Sequence, residues 1–249
     1  MRELREPEPA FLLDAEPDLG VALRQPQRDE ARAVLRAPAL HLGEGPWEIS
    51  SNGHVPPGGA LIRSGFIVRT MRAGERPSSR ILGPGDAIQP WREDTHGAPS
   101  EWRVLQPAML LLLDADLLWA LRAWPAVAAA LFAAWSRQVD YATAHVAIGH
   151  QTHIEDRLLS ELCYIARRWG RVSTDGVVTP VPLSHELLAG LVGARRPTVS
   201  LALKRLTESG RIDRRRDGCW IVPPAAVSRS LARPAAAVSQ LRGRSRAAA

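Results

Sequence analysis

Apolar positions along this chain change their period several times, and each change marks a different kind of element. Between residues 39 and 114, short apolar runs such as Ala60–Ile62, Phe66–Arg69 and Val104–Leu113 alternate with glycine and proline clusters (GEGP, NGHVPPGG, LGPGD, HGAPS). Turn signals about every ten residues, with β-branched runs between them, predict a compact antiparallel β sandwich or barrel. Ahead of it, residues 1–40 are proline-spotted, with a short helix expected near Arg28–Leu35. Beyond it, Asp114 or Asp116 can cap a helix through Leu117, Leu118 and Leu121 that stops before Trp124-Pro125. Proline in a first helical turn then opens a long helix from about Pro125 to Gly149.

Along that long helix Val127, Leu131, Ala134, Gln138, Tyr141, His145 and Ile148 recur at alternating spacings of four and three. This is a heptad seam suited to pairing with a second copy of the helix. A register through Trp135, Ala142 and Val146 is also compatible, as is a helix buried against its own β domain. Gly149 and His150 read as a hinge, after which Ile154, Leu158, Leu159, Leu162, Ile165 and Ala166 stripe a helix over about 152–169 that Gly170 stops. Val172 and Val177–Val181 flank a Thr174-Asp175-Gly176 turn and predict a small hairpin.

The stretch Leu183–Leu206, LSHELLAGLVGARRPTVSLALKRL, holds two apolar-periodic segments split by Gly193. Glycine there accepts the positive φ of a sharp turn. Ser184 is placed to cap the first segment and Pro197 lies in the first turn of the second. This predicts a helix-turn-helix whose second helix carries Arg195, Arg196, Lys204 and Arg205. The alternative is an αα-hairpin buried in some other domain. Gly210 ends the second helix, Ile212 starts a strand, Asp217-Gly218 turns it, and Trp220-Ile221-Val222 returns. The hairpin reads as a wing, with Arg214, Arg215 and Arg216 along its outgoing strand. The remainder, 223–249, is rich in Ala and Arg and expected to be disordered over most of its length.

Composition sharpens this division. The 249 residues carry a net charge of +6, distributed as −3 over 1–151, +4 over 152–222 and +5 over 223–249. An acidic front and basic back imply that only the back meets a polyanion. Arginine outnumbers lysine 31 to 1, with alanine abundant, a bias expected of a GC-rich genome, so each arginine is not by itself a ligand. The apolar runs are too short to cross a bilayer and the acidic start lacks a signal pattern, which predicts a cytoplasmic protein without a membrane partner. Cys163 and Cys219 match no zinc or iron–sulfur spacing.

Enzyme signatures are missing: there is no G-x-S-x-G elbow, and GEGPWE and LGPGD lead into no Lys-Ser/Thr helix. His145, His150 and His153 cluster at the hinge without a carboxylate or cysteine at metal-ligand spacing, so a hinge and surface role is preferred to a metal or haem site. His41, His54 and His96 fall in expected turns. Trp91 and Trp102 read as core packing rather than ligand stacking.

The order of parts over roughly 40–222 resembles the Crp/Fnr superfamily of bacterial transcription regulators, most strongly over Asp156–Val222, where the helix-turn-helix and wing lie. LGPGD at Leu82–Asp86 is similar to the glycine turn entering that family's ligand cassette. The resemblance implies an α+β chain with an N-terminal antiparallel β-roll of the cyclic-nucleotide-binding kind, a long dimerisation helix and a C-terminal winged helix-turn-helix. The expected boundaries are an extension 1–38, the β-roll 39–124, the dimerisation helix and hinge 125–150, the DNA-binding domain 151–222 and the tail 223–249. By the same resemblance Ser184 touches a phosphate, Arg196 reads a base, Thr198 and Ser200 face DNA, and Lys204 lies further along. Arg195, Arg205, Arg214, Arg215 and Arg216 complete the expected DNA-binding set.

Two departures qualify the likeness. Pro197 stands where the type member has a glutamate; it cannot accept a bond from cytosine N4, so a different operator is implied. In the cassette, Ala87-Ile88-Gln89-Pro90 offers no ribose glutamate, and in Gly97-Ala98-Pro99-Ser100-Glu101 a proline takes the place of the phosphate arginine, leaving Ser100. A buried phosphate without its guanidinium costs several kcal/mol, which argues against cyclic-nucleotide binding in the usual mode. The expected function is a homodimeric, sequence-specific DNA-binding regulator and not an enzyme, with no cofactor. Its partners are double-stranded DNA, a second copy through 125–150, an effector of unspecified identity and, as a candidate, RNA polymerase. The competing reading is a protein-interaction module that retains a helix-turn-helix relic.

Overall fold

The computed structural model describes residues 8–49, 55–72, 77–91 and 99–229, and divides into two compact units, 1–146 and 147–249. The first is built on an antiparallel sheet of seven strands among the described residues, in the order β1 (Glu8–Phe11), β2 (Arg36–Leu42), β7 (Ser100–Leu112), β4 (Ala60–Met71), β5 (Ser78–Leu82). Short β3 (Gly45–Pro46) adds to β7, and β6 (Ala87–Ile88) to β4. The two apolar runs expected as separate segments, 60–62 and 66–69, are one strand. Register shifts between Ile62 and Ile67 bend it, and Gly65, at φ +81°, sits where a Cβ would meet the Pro107 carbonyl oxygen at 2.2 Å. Only glycine allows that close approach, so a bulge stands where the sequence shows a break.

The segment set apart above as an extension, 1–38, is part of this unit. β1 pairs with β2 from Glu8↔Ala39 to Phe11↔Arg36, and α1 (Leu12–Ala15) and α2 (Gln25–Val34) follow it. Leu12, Leu13, Leu19, Ala31 and Leu35 are buried with Leu111, Leu113, Val127 and Leu131 in one core. The helix expected from Arg28 begins at Gln25, with Pro26 in its first turn. His41, expected in a turn, lies in β2 opposite Met109. A second core on the other side of the sheet contains Ile62, Ile67, Leu110 and Trp102, with Trp47 set edge-on to Trp91 and Trp102. His54 and His96 lie outside the described residues.

Asp114 caps α3 (Ala115–Ala120), its Oδ1 accepting from Leu117 N at 2.9 Å. The long helix α4 spans Pro125–Gly149 as expected. Its heptad seam, however, does not point outward. Val127, Leu131, Ala134 and Tyr141 are buried, the first three in the core beneath the sheet. Gln138 donates to Asp86. The seam through these positions is therefore spent within the chain. A different row is bare: Phe132, Val139 and Val146 are 72%, 67% and 58% exposed. Of the alternative register, Trp135 packs on the core and only Val146 belongs to the exposed row.

In the second unit, α5 (Ile154–Trp169) buries Leu158, Leu162, Ile165 and Ala166 and packs against α6 (His185–Val192) and α7 (Arg196–Glu208). Each buried leucine contributes about 1.5–3 kcal/mol. A four-stranded antiparallel sheet flanks the helices: β8 (Arg171–Ser173), β9 (Gly176–Val178), β11 (Trp220–Val222) and β10 (Asp213–Arg214). Pro224–Arg229, expected as the start of a disordered tail, forms a helix, α8, packed on α5. Residues 230–249 lie outside the described set. Cys163 and Cys219 are buried free thiols, and burial pushes Cys163 up to about 11. Among the described residues no helix is long and apolar enough to cross a membrane.

Candidate nucleic-acid interface

Local chemistry fixes the helix pair. Ser184 Oγ accepts from Leu187 N at 3.1 Å, capping α6, and Gly193 ends it in the left-handed region at φ +63°. Arg195 is the N-cap of α7, with Arg196 and Pro197 in its first turn. Val199, Ala202, Leu203 and Leu206 are buried beneath this helix, which leaves Arg195, Arg196, Pro197, Thr198, Leu201, Lys204 and Arg205 exposed and Ser200 half-buried. Arg196, Ser200 and Lys204 follow one another at i, i+4 along a single row.

The wing is tied to the segment that enters α6. Thr179 N donates to Trp220 O at 2.8 Å, Trp220 N to Thr179 Oγ1 at 2.9 Å, and Trp220 Nε1 to Leu183 O at 3.0 Å. Of the three wing arginines expected along the outgoing strand, only Arg214 lies in it; Arg215 and Arg216 belong to the following loop and turn. The strand ends early because the Arg215–Cys219 backbone pair already closes the hairpin.

The basic side chains divide by what they touch. Arg205 pairs with Glu155 on α5 at 3.0 Å. Hydrogen bonding from its own backbone at the helix start, then from Arg205, holds the Glu155 carboxyl below the usual carboxylate range. Lys204 lies 3.7 Å from Glu208, Arg215 3.2 Å from Asp217, and the Arg214 guanidinium 5.2 Å over the Trp220 ring. Among the described residues Arg195, Arg196 and Arg216 have no ion-pair partner. Two residues outside the expected set join this surface. Leu201 is 52% exposed, an apolar side chain in water one turn beyond Pro197. His185 Nδ1 lies 2.8 Å from Ser200 Oγ. A histidine directly after the capping serine was the sequence signal for it.

The first unit places its polar residues differently. In the Leu82–Asp86 turn, buried Asp86 accepts from Gly83 N at 2.9 Å and from Gln138 Nε2 at 2.8 Å. Arg80 donates to Gln138 and stacks 4.3 Å over Tyr141. Ser100, next to the proline that takes the place of the phosphate arginine, has a guanidinium neighbour from another strand: Arg69, reaching from β4, donates to its Oγ at 3.2 and 3.1 Å. Residues 92–98 of the cassette lie outside the described residues. His145 stacks on Tyr141, while His150 and His153 are exposed; no group of three metal-ligating side chains occurs among the described residues.

A family model for the Crp-like helix-turn-helix domain matches residues 156–229. The second unit carries a Crp-like helix-turn-helix domain. Solved structures, regulators of the CRP/FNR family among them, share the chain's fold over most of its length. The chain aligns with a mutant of CooA from Carboxydothermus hydrogenoformans at a TM-score of 0.60 and 15% identity, over 88% of this chain and 94% of that one. A cyclic nucleotide-binding domain containing protein from Listeria monocytogenes aligns at 0.63 and 16%, over 84% and 98%. FixK2 from Bradyrhizobium japonicum aligns at 0.58 and 17%, over 78% and 96%. No curated protein matches the sequence. The matched residues run past β11 and include α8.

Proposed function

We propose that this chain is a homodimeric transcription regulator that binds a roughly palindromic duplex site in a sequence-specific manner and works in the cytoplasm. The observation that carries the reading is the first turn of α7. Arg195 and Arg196 stand exposed there with no ion pair among the described residues, beside exposed Thr198, at the positive end of a helix that belongs to a Crp-like domain. Laid in a major groove, that turn presents Arg196 to guanine O6 and N7 through two parallel N–H groups. Leu201 meets a thymine methyl, while Arg195, Ser184 and the wing's Arg216 address phosphates. Pro197 offers no acceptor, so the site differs from one read by a glutamate there.

The exposed row of α4 supports pairing. Ala129, Phe132, Ser136, Val139, Thr143 and Val146 follow at spacings of three and four, all solvent-facing in the single chain. Two copies joined along it would carry two recognition helices to successive half-sites. The test is binding to random duplex across a salt series, followed by selection from a random pool. The reading expects steeply salt-dependent non-specific binding and an inverted-repeat motif. A module that merely docks proteins would show neither.

A further inference from the structure

Ser200 does not stand alone on the recognition row. Its Oγ lies 2.8 Å from His185 Nδ1, a contact between the first residue of α6 and the DNA-facing row of α7. The pair lines a shallow depression with Lys204, Thr207, Arg214 and Trp220. His185 lies against the Trp220 ring, centroids 6.2 Å apart. One hydroxyl hydrogen is available to this contact, and the protonation of Nδ1 decides which partner supplies the hydrogen. We infer that His185 sets the hydrogen-bond sense of Ser200, and through it the base that the recognition helix prefers at one position of each half-site. The inference rests on the DNA-binding reading above.

The chemistry has two states. In the neutral ring the inference takes the Nε2–H tautomer, whose bare Nδ1 accepts, so that Ser200 donates its hydrogen to the imidazole and only oxygen lone pairs face outward. Such a hydroxyl suits an amino donor in the major groove, adenine N6 or cytosine N4. With the ring protonated, Nδ1–H donates to Oγ and the serine hydrogen is released. It then suits an acceptor, guanine O6 or N7 or thymine O4.

The charged and titratable groups facing His185 are Arg196, Lys204 and Glu208 of α7 and Arg214 of β10. Burial first, then Arg214 and Arg196, holds the imidazole below its ordinary value, so the neutral ring is the form in the free protein at neutral pH. A phosphate approaching the α6 start opposes this, which makes the second state reachable on mild acidification of the complex. His185 is thus a positioning residue that acts through Ser200.

The experiment is random-pool selection with the full chain at about pH 7.5 and about pH 5.5, bracketing the ordinary imidazole range, on wild type, His185→Asn and Ser200→Ala. In the wild type, one position per half-site should move from A or C toward G or T on acidification. The expected change is about tenfold in relative preference, the scale of one mismatched base contact. His185→Asn keeps a hydrogen-bonding side chain but cannot titrate, so its preference should be the same at both pH values. Ser200→Ala should lose discrimination at that position alone. Thermal unfolding of both variants separates a folding defect from a lost contact. A wild-type position that does not respond to pH overturns the inference, as does a pH response that persists in Ser200→Ala. Failure of the underlying reading looks different: no motif would be selected at either pH.

Discussion

Several arginines of the first unit and those that open α7 differ in what they face. In the first unit Arg69 is held by Ser100 and lies 5.5 Å over Trp102, and Arg80 is stacked on Tyr141 and bonded to Gln138. Arg36 covers Phe11, and Arg32 pairs with Asp14. In the second unit Arg195, Arg196 and Arg216 are exposed with no ion pair among the described residues, while Arg205, further along α7, pairs with Glu155. Planar guanidinium groups serve equally as mortar between aromatic rings and as forks for an external anion. In a chain with 31 arginines, residue type cannot separate the two uses. The neighbours do.

The sharpest test of the inward set is Asp86→Ala, which strips the acceptor for Gly83 N and Gln138 from a buried site. About 3 kcal/mol of stability should be lost in urea unfolding, and the salt dependence of duplex binding should not move. A neutral result would mean that the Asp86–Gln138–Arg80 chain holds nothing together. For the outward set, Arg196→Ala should cost about 1–3 kcal/mol of discrimination at one base pair, read by competition with single-base operator variants. Stability should change by no more than about 0.5 kcal/mol. A smaller effect separates cations within the second unit. Arg216→Ala should lower the slope of log affinity against log salt by about one, whereas Arg205→Ala should leave it unchanged. Equal slopes for the two would erase the distinction drawn from their partners. Smallest is the effect of Arg205→Ala on folding, below about 1 kcal/mol for an exposed pair. Because the Glu155 carboxyl is lowered in the folded chain, this contribution is present above the ordinary carboxylate range and lost as pH falls through the lowered value. Wild type and variant should therefore converge in stability in acid.

Legibility in the sequence followed the range of the interaction. Ser184, Gly193 and Pro197 act within a few residues of themselves, and the helix-turn-helix they delimit stands where the pattern places it. The ends of α4 were equally readable, since Pro125 and Gly149 are local signals. Which side of α4 meets its own sheet was not, because the helix has apolar residues on two faces and periodicity ranks neither. β1 escaped for a related reason: a four-residue strand has almost no period, and its partner residues lie nearly thirty positions downstream. Arg205 belongs in the same class, its partner Glu155 being fifty positions upstream. Arg69 beside Ser100 could not be read from a cassette motif, because it arrives from another strand.

Trp220 binds the wing at its backbone N–H to Thr179 and at its indole N–H to Leu183, immediately before α6. Wing and recognition helix are thereby parts of one jaw with a fixed gape. On a duplex such a jaw would work as a calliper, seating without deformation only where the distance from groove floor to sugar–phosphate ridge matches its own. Sequences that set groove width or bend easily would then be favoured at base pairs no side chain touches.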